Sequence, residues 1–207
     1  MSSPIPIYLV NETELHRHSD HQVWLTANRF KADPYSFCLI PGEKGHITKV
    51  LVGKPDPIDT WTLGNLPQTL PAQEYYLADD LPPETATKLL LGWRLGRYTF
   101  SKYKGKDAAQ LAELAVPDGA DTAYVASTMA GTFLTRDLVN TPAGDMGPDA
   151  LEQVAQNLAD AHAADLTVIR GDDLLDQNFP MVHAVGRACS QPPRLIDLRW
   201  GHSDAPK

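Results

Sequence analysis

Short apolar runs broken by turn residues fill the first third of the chain, and longer helical periodicities follow. Residues 5–10 (Ile-Pro-Ile-Tyr-Leu-Val) are apolar and β-branched and read as a strand. Residues 35–40 and 46–52 flank Pro41-Gly42-Glu43-Lys44-Gly45 and read as a hairpin around a turn-rich loop. Prolines at 55, 57, 67, 71, 82 and 83 then limit regular structure to short pieces, with one more short strand at 75–77. Pro82-Pro83-Glu84 opens a helix to about Arg97. Proline costs nothing in the first turn, and Glu84 suits the positive end of the dipole. Leu90 and Trp93 face its core. Residues 109–116 read as a strand that ends at Pro117-Asp118-Gly119.

Residues 121–138 carry only Arg136 and Asp137 as charges after Asp121, with Val125, Met129 and Phe133 spaced by four. So weakly polar a helix is expected to be covered over most of its circumference, as a connector between two lobes would be. It stops near Asn140-Thr141-Pro142, because the residue before proline is pushed out of the helical region. After Pro142 the pattern is a helix from Pro148, a strand at 166–169, a short helix capped by Gly171-Asp172-Asp173, and a strand at 195–198. Alternation of this kind predicts an α/β layer with mainly parallel pairing.

Composition narrows the function class. A formal charge of −8 disfavours nucleic-acid binding as the main task. The stretch between Lys88 and Lys106 is the exception, with six basic residues (Lys88, Arg94, Arg97, Lys102, Lys104, Lys106) and no acidic one, which leaves −14 on the remainder. Lys88 and Arg94 stand roughly 600° (−120°) apart around a helix, so these charges do not share one narrow face. Nucleic-acid binding through this stretch is therefore the alternative reading, and a solvated helix surface the preferred one. The longest apolar runs are a few residues, such as Leu89-Leu90-Leu91, too short to span a bilayer. Cys38 and Cys189 are too few for a disulfide framework or a thiolate zinc site. With no secretory pattern at residues 1–6, a soluble cytoplasmic protein is expected.

Candidate chemistry is sparse. His16, His18 and His21 are ligand-type side chains at short spacing, but no carboxylate completes a zinc pattern, and a solvated polar loop is the preferred reading. His183 reads as a core histidine satisfied by backbone, and Cys189 as a buried inert thiol. Asp172, Asp173 and Asp176 could ligate a metal, yet a helix N-cap explains the first two. Ser203 lacks the second glycine of a nucleophile elbow. No catalytic, cofactor-binding or metal-ligating residue is assigned.

Three longer segments carry a resemblance. Thr135-Arg136-Asp137-Leu138-Val139-Asn140-Thr141-Pro142 resembles the R-D-L-x-N-T-P segment of leucyl (cytosol) aminopeptidases, which ends their long interdomain helix. Residues 91–104, Leu-Gly-Trp-Arg-Leu-Gly-Arg-Tyr-Thr-Phe-Ser-Lys-Tyr-Lys, resemble the family's G-x-x-L-G-x-Y-x-F-x-x-Y-K helix. Ala184-Val185-Gly186-Arg187, followed by Pro193-Arg194-Leu195-Ile196, resembles its A-V-G-R…P-R-L-I passage. Gly144 stands where the family often has asparagine, and both residues accept a left-handed backbone.

The resemblance implies an α/β fold in two lobes. A small mixed-sheet N-terminal α/β domain (1–118) is joined by a long helix (119–140) to the first βα units of a three-layer α/β/α metallopeptidase domain (141–207). It implies a peptide substrate, hexameric assembly, and two divalent ions, manganese or zinc, that activate water against the peptide carbonyl. The family's metal carboxylates, lysine and arginine lie in G-K-G-x-x-F-D-T-G-G, D-M-G-G-A and N-T-D-A-E-G-R segments, none of which occurs in this sequence. The chain is thus expected to be a non-catalytic N-terminal portion of such an enzyme, with roles in architecture, access to the site and oligomerisation, and with no cofactor of its own.

Overall fold

The computed structural model describes residues 3–43, 45–104, 110–202 and 204. The chain divides into two compact units, Met1–Asp137 and Leu138–Lys207.

In the first unit, β1 (Ile5–Val10), β2 (Phe37–Pro41), β3 (Ile47–Gly53), β4 (Glu74–Leu77) and β5 (Glu113–Leu114) form one mixed sheet in the order β2-β3-β1-β4-β5. The hairpin expected from the turn-rich loop is the antiparallel β2–β3 pair; β1 runs parallel to both β3 and β4. Strand periodicity sorts the side chains into two cores. Ile5, Ile7 and Leu9 point to one face with Val50, Val52 and Tyr75, and meet Leu63, Leu66 and, from helix 83–96, Leu89, Leu90 and Trp93. Val10, Leu51, Cys38 and Ile40 point to the other and meet Leu25, Phe30 and Ala32. Each fully buried large side chain of these layers contributes about 1.5–3 kcal/mol over exposure.

The first covering segment is a 3-10 helix, Glu12–His21, followed by α1 (Gln22–Ala27). Its start is a capping box: Asn11 Oδ1 accepts from Glu14 N–H (3.0 Å) and Glu14 Oε2 accepts from Asn11 N–H (3.0 Å). The opposite face is covered by a 3-10 turn (Thr60–Leu63), α2 (Leu66–Thr69) and α3 (Pro83–Gly96). The strand expected over 109–116 is confined to Glu113–Leu114 among the described residues, a parallel edge ladder closed by Glu113 N–H to Gln73 O (3.0 Å) and Ala115 N–H to Tyr75 O (2.8 Å).

α4 (Thr122–Asn140) stops where Pro142 requires, but it is not covered over most of its circumference: among its residues only Val125 is buried. Its low polarity comes from Ala, Gly, Ser and Thr, which tolerate water, while Tyr124 and Val139 are exposed and Phe133 reaches the first core only in part.

The second unit contains α5 (Pro148–His162), β6 (Asp165–Arg170), α6 (Asp173–Asp176), α7 (Pro180–Gly186) and β7 (Arg194–Arg199). The parallel pairing expected here is not what β6 and β7 adopt; they pair antiparallel, from Asp165 opposite Arg199 to Arg170 opposite Arg194. The ladder continues into the connection. Gly171 N–H bonds to Pro193 O (2.8 Å), so residues 171–193 leave and re-enter at the same end of the pair.

Candidate functional site

The motif residues prove to be packing and latching groups. On α3, a Cβ at Gly92 would lie 1.6 Å from Thr60 O and one at Gly96 would lie 1.9 Å from Gly64 O, so both glycines exist to let two backbones touch. At the end of α3, Tyr98 receives three groups from α4. Its hydroxyl donates to Asp137 Oδ1 (2.8 Å), the Arg136 guanidinium lies 5.2 Å over its ring, and Phe133 packs at 5.1 Å between centroids. Arg136 also donates to Leu95 O (3.0 Å), one of the carbonyls a helix C-terminus leaves unpaired. The Arg-Asp pair of one motif therefore fastens the Gly-x-Tyr of another.

In the second unit, the arginine of the P-R-L-I passage is a hub. Arg194, its side chain 6% exposed, is ion-paired with Asp149 and Glu152 of α5, and Arg170 of β6 also grips Glu152. These bonds, Arg170's foremost, hold the Glu152 carboxyl down to about 2 against the upward pull of partial burial. Gly186 of the A-V-G-R segment lies where a Cβ would come within 2.4 Å of Pro193 Cβ. The pairing of Arg194 across 42 residues to Glu152 left no local signal in the sequence.

The weighed ligand-type residues do not converge. His16 Nδ1 contacts Thr13 O (2.6 Å) and His21 Nε2 contacts Asp20 (2.9 Å). His18 corrects the solvated-loop reading: it is 8% exposed, at a kink in the 3-10 helix, with its ring 5.3 Å from that of Tyr8. Burial, then Lys49, lowers its pKa. The capping role expected of Asp172 is also absent; no side-chain cap bond forms, and the carboxylate meets His183 Nε2 at 3.1 Å instead. His183 is thus satisfied by a carboxylate rather than by backbone. Cys189 is exposed, not buried, whereas Cys38 is buried and burial pushes its thiol pKa up. Ser203 lies outside the described residues.

Three of the six basic residues in the 88–106 stretch are committed to nearby carboxylates, and Lys102 lies 5.7 Å over the Tyr103 ring. Lys88 pairs with Glu84 (2.7 Å), and Arg94 and Arg97 both pair with Glu113, while Lys106 is outside the described residues. Among the described residues, no three His, Cys, Asp or Glu side chains are placed to hold a metal ion. The best-assembled carboxylates, Asp149 and Glu152, are already neutralised by arginine. That donor set does not fit a two-metal centre. No described helix is long and apolar enough to cross a membrane.

Comparison with known proteins matches this chain to two adjoining family models. One, M17 aminopeptidase, N-terminal domain, covers residues 5–117; the other, the cytosol aminopeptidase family catalytic domain, covers residues 133–207. A probable cytosol aminopeptidase of Corynebacterium glutamicum is 28% identical over 92% of this chain and 41% of its own length. The crystal structure of a cytosol aminopeptidase from Coxiella burnetii superposes with a TM-score of 0.87 at 35% identity, over 100% of this chain and 46% of that one. The bottromycin maturation enzyme BotP, in complex with Mn, shares the fold at a TM-score of 0.71 and 23% identity, over 98% of this chain and 46% of that one. The chain spans less than half the length of each of these proteins.

Proposed function

The chain belongs to the M17 cytosol aminopeptidase family, and from that premise we propose that its residues serve a cytoplasmic peptidase that releases N-terminal amino acids from peptides. Within that enzyme they form the N-terminal domain and the opening of the catalytic domain. Their work is architectural: shaping access to the site and supplying contacts for a hexameric assembly, while the hydrolytic groups and two divalent ions, manganese or zinc, belong to segments that this sequence does not contain.

The observation that supports this reading best is what the family-like motifs do here. Gly92, Gly96, Tyr98, Arg136, Asp137 and Arg194 all close backbone contacts, hydrogen bonds or ion pairs. None joins a cluster of metal-ligating side chains among the described residues. A calorimetric titration of the 207-residue protein with manganese tests it. The expected result is no stoichiometric binding; two tight ions per chain, removed by a chelator, would overturn it.

A further inference from the structure

The sheet of the first unit has a topological switch at β1. The chain leaves β1 toward the face where Leu15 and Leu25 pack, whereas it leaves β3 and β4 toward the opposite face, where Leu63, Leu66, Leu89 and Leu90 pack. Loops that part to opposite sides of adjacent parallel strands open a crevice outside the strands' carboxyl ends, the favoured place for a ligand in an open α/β sheet. A cavity of about 480 Å³ lies there, within the range of small-molecule sites.

Its lining is bipolar. Asp79, just past the end of β4, reaches across to accept from Leu9 N–H of β1 (2.8 Å), which puts a carboxylate at the β1–β4 cleft. Asp20, beside His21 (2.9 Å), adds a second carboxylate and Glu14, paired with Lys54 (2.8 Å), a third; Lys49 and Arg17 add two cations, Arg17 standing 4.0 Å from Glu14. Lys49 has no carboxylate within ion-pair distance among the described residues; its ammonium lies 5.9 Å over the Tyr8 ring. His18, 8% exposed, also lines the cavity and presents its imidazole there. Burial, then the nearby Lys49 ammonium, lowers its pKa.

We propose that this crevice binds a free α-amino acid as its zwitterion, the ammonium toward Asp79 and Asp20, the carboxylate toward Lys49 and Arg17, and the side chain along Tyr8. A singly charged ligand would satisfy one sign and face the other unmatched, and an apolar one would strand both. An α-amino acid also carries its two charges close together, as a cavity with both signs on its walls requires. Such a ligand is what a peptidase of this family would release, but the charge pattern carries the site without that reading, and the test needs no turnover.

Titration of the 207-residue protein with leucine, followed by amide chemical shifts, decides the matter, with acetate and methylammonium as separate arms. Leucine is expected to saturate with a Kd of about 1 mM and to move the amides of Tyr8, Leu9, His18 and Asp79. Acetate and methylammonium are each expected to bind at least about tenfold more weakly, as is leucine to Lys49→Met and to Asp20→Asn, with the melting temperature of each variant checked against the parent. The proposal is overturned by no saturation up to about 10 mM. It is equally overturned by shifts confined to other residues, by acetate or methylammonium alone binding as tightly as leucine, or by undiminished binding to a folded variant.

Discussion

Replacing Gly92 with alanine isolates the close approach that the helix motif exists to permit. In an open helix this substitution stabilises by about 1 kcal/mol, because alanine restricts the unfolded chain and glycine does not. Here the new Cβ would stand 1.6 Å from Thr60 O and 2.8 Å from its carbonyl carbon, whereas real Cβ contacts stay beyond 3.0 Å. The two backbones must therefore part by about 1.4 Å, the kind of overpacking that costs about 1–3 kcal/mol or more. Thr60–Leu63 cannot slide away freely. Asp59 Oδ1 accepts from Trp61 N–H (2.9 Å), Tyr35 donates to Asp59 Oδ2 (2.7 Å), and Leu63 is buried in the main core. A net loss of about 2 kcal/mol is expected, lowering the melting temperature by about 4–8 °C for a protein of this size. Gly131 provides the control: it lies inside α4, is exposed, and a Cβ there would meet nothing within 4 Å. Gly131→Ala should raise the melting temperature by about 2–4 °C. Thermal unfolding of both variants gives the answer, and shifts of the same sign would refute the account of α3 packing.

Three further outcomes are expected. With a thiol reagent, the exposed Cys189 should react at once and the buried Cys38 only on unfolding, so two fast thiols in the native protein would contradict the second core. The Glu152 carboxyl is held at about 2 in the folded chain against an ordinary 4.5, so its contribution is full above about pH 4.5 and disappears as pH falls toward 2. Discounted for solvent screening, Glu152→Gln should lose about 1 kcal/mol at pH 7 in urea unfolding and match the parent near pH 2; equal stability at pH 7 would show the arginine pairs to be inert. Among the described residues β6 and β7 form a two-stranded sheet with both outer edges unpaired, and Leu198 and Trp200 are exposed. Light scattering should therefore show self-association that is lost on deleting residues 192–207, and a monomer with ordered, slowly exchanging β7 amides would count against it.

Local patterns carried much of the fold. Apolar β-branched runs between turn residues located β1 to β4, and Pro83 and Pro142 marked the start of α3 and the end of α4, because each rests on interactions within a few residues. What the pattern missed depends on distant partners. The antiparallel β6–β7 ladder, which the Gly171–Pro193 bond continues across 22 residues of chain, is not encoded by alternation of strand and helix. The exposure of α4 was hidden because alanine and threonine look apolar or neutral in a sequence yet remain at ease in water. Three histidines among polar neighbours read as a solvated loop, whereas His18 is buried. Its burial follows from a capping box, a kink and the ring of Tyr8, none of them periodic. The same holds for Cys189 and Asp172, since neither a thiol's exposure nor a carboxylate's choice between backbone and His183 is written locally.

The most direct test of an architectural role is hydrolysis itself. Pure protein of these 207 residues is incubated with an amino-acid p-nitroanilide and added manganese or zinc, and release of p-nitroaniline is followed against a protein-free control. No release above that control is expected with either metal. Metal-dependent turnover that a chelator abolishes would contradict it and place hydrolytic groups within these residues.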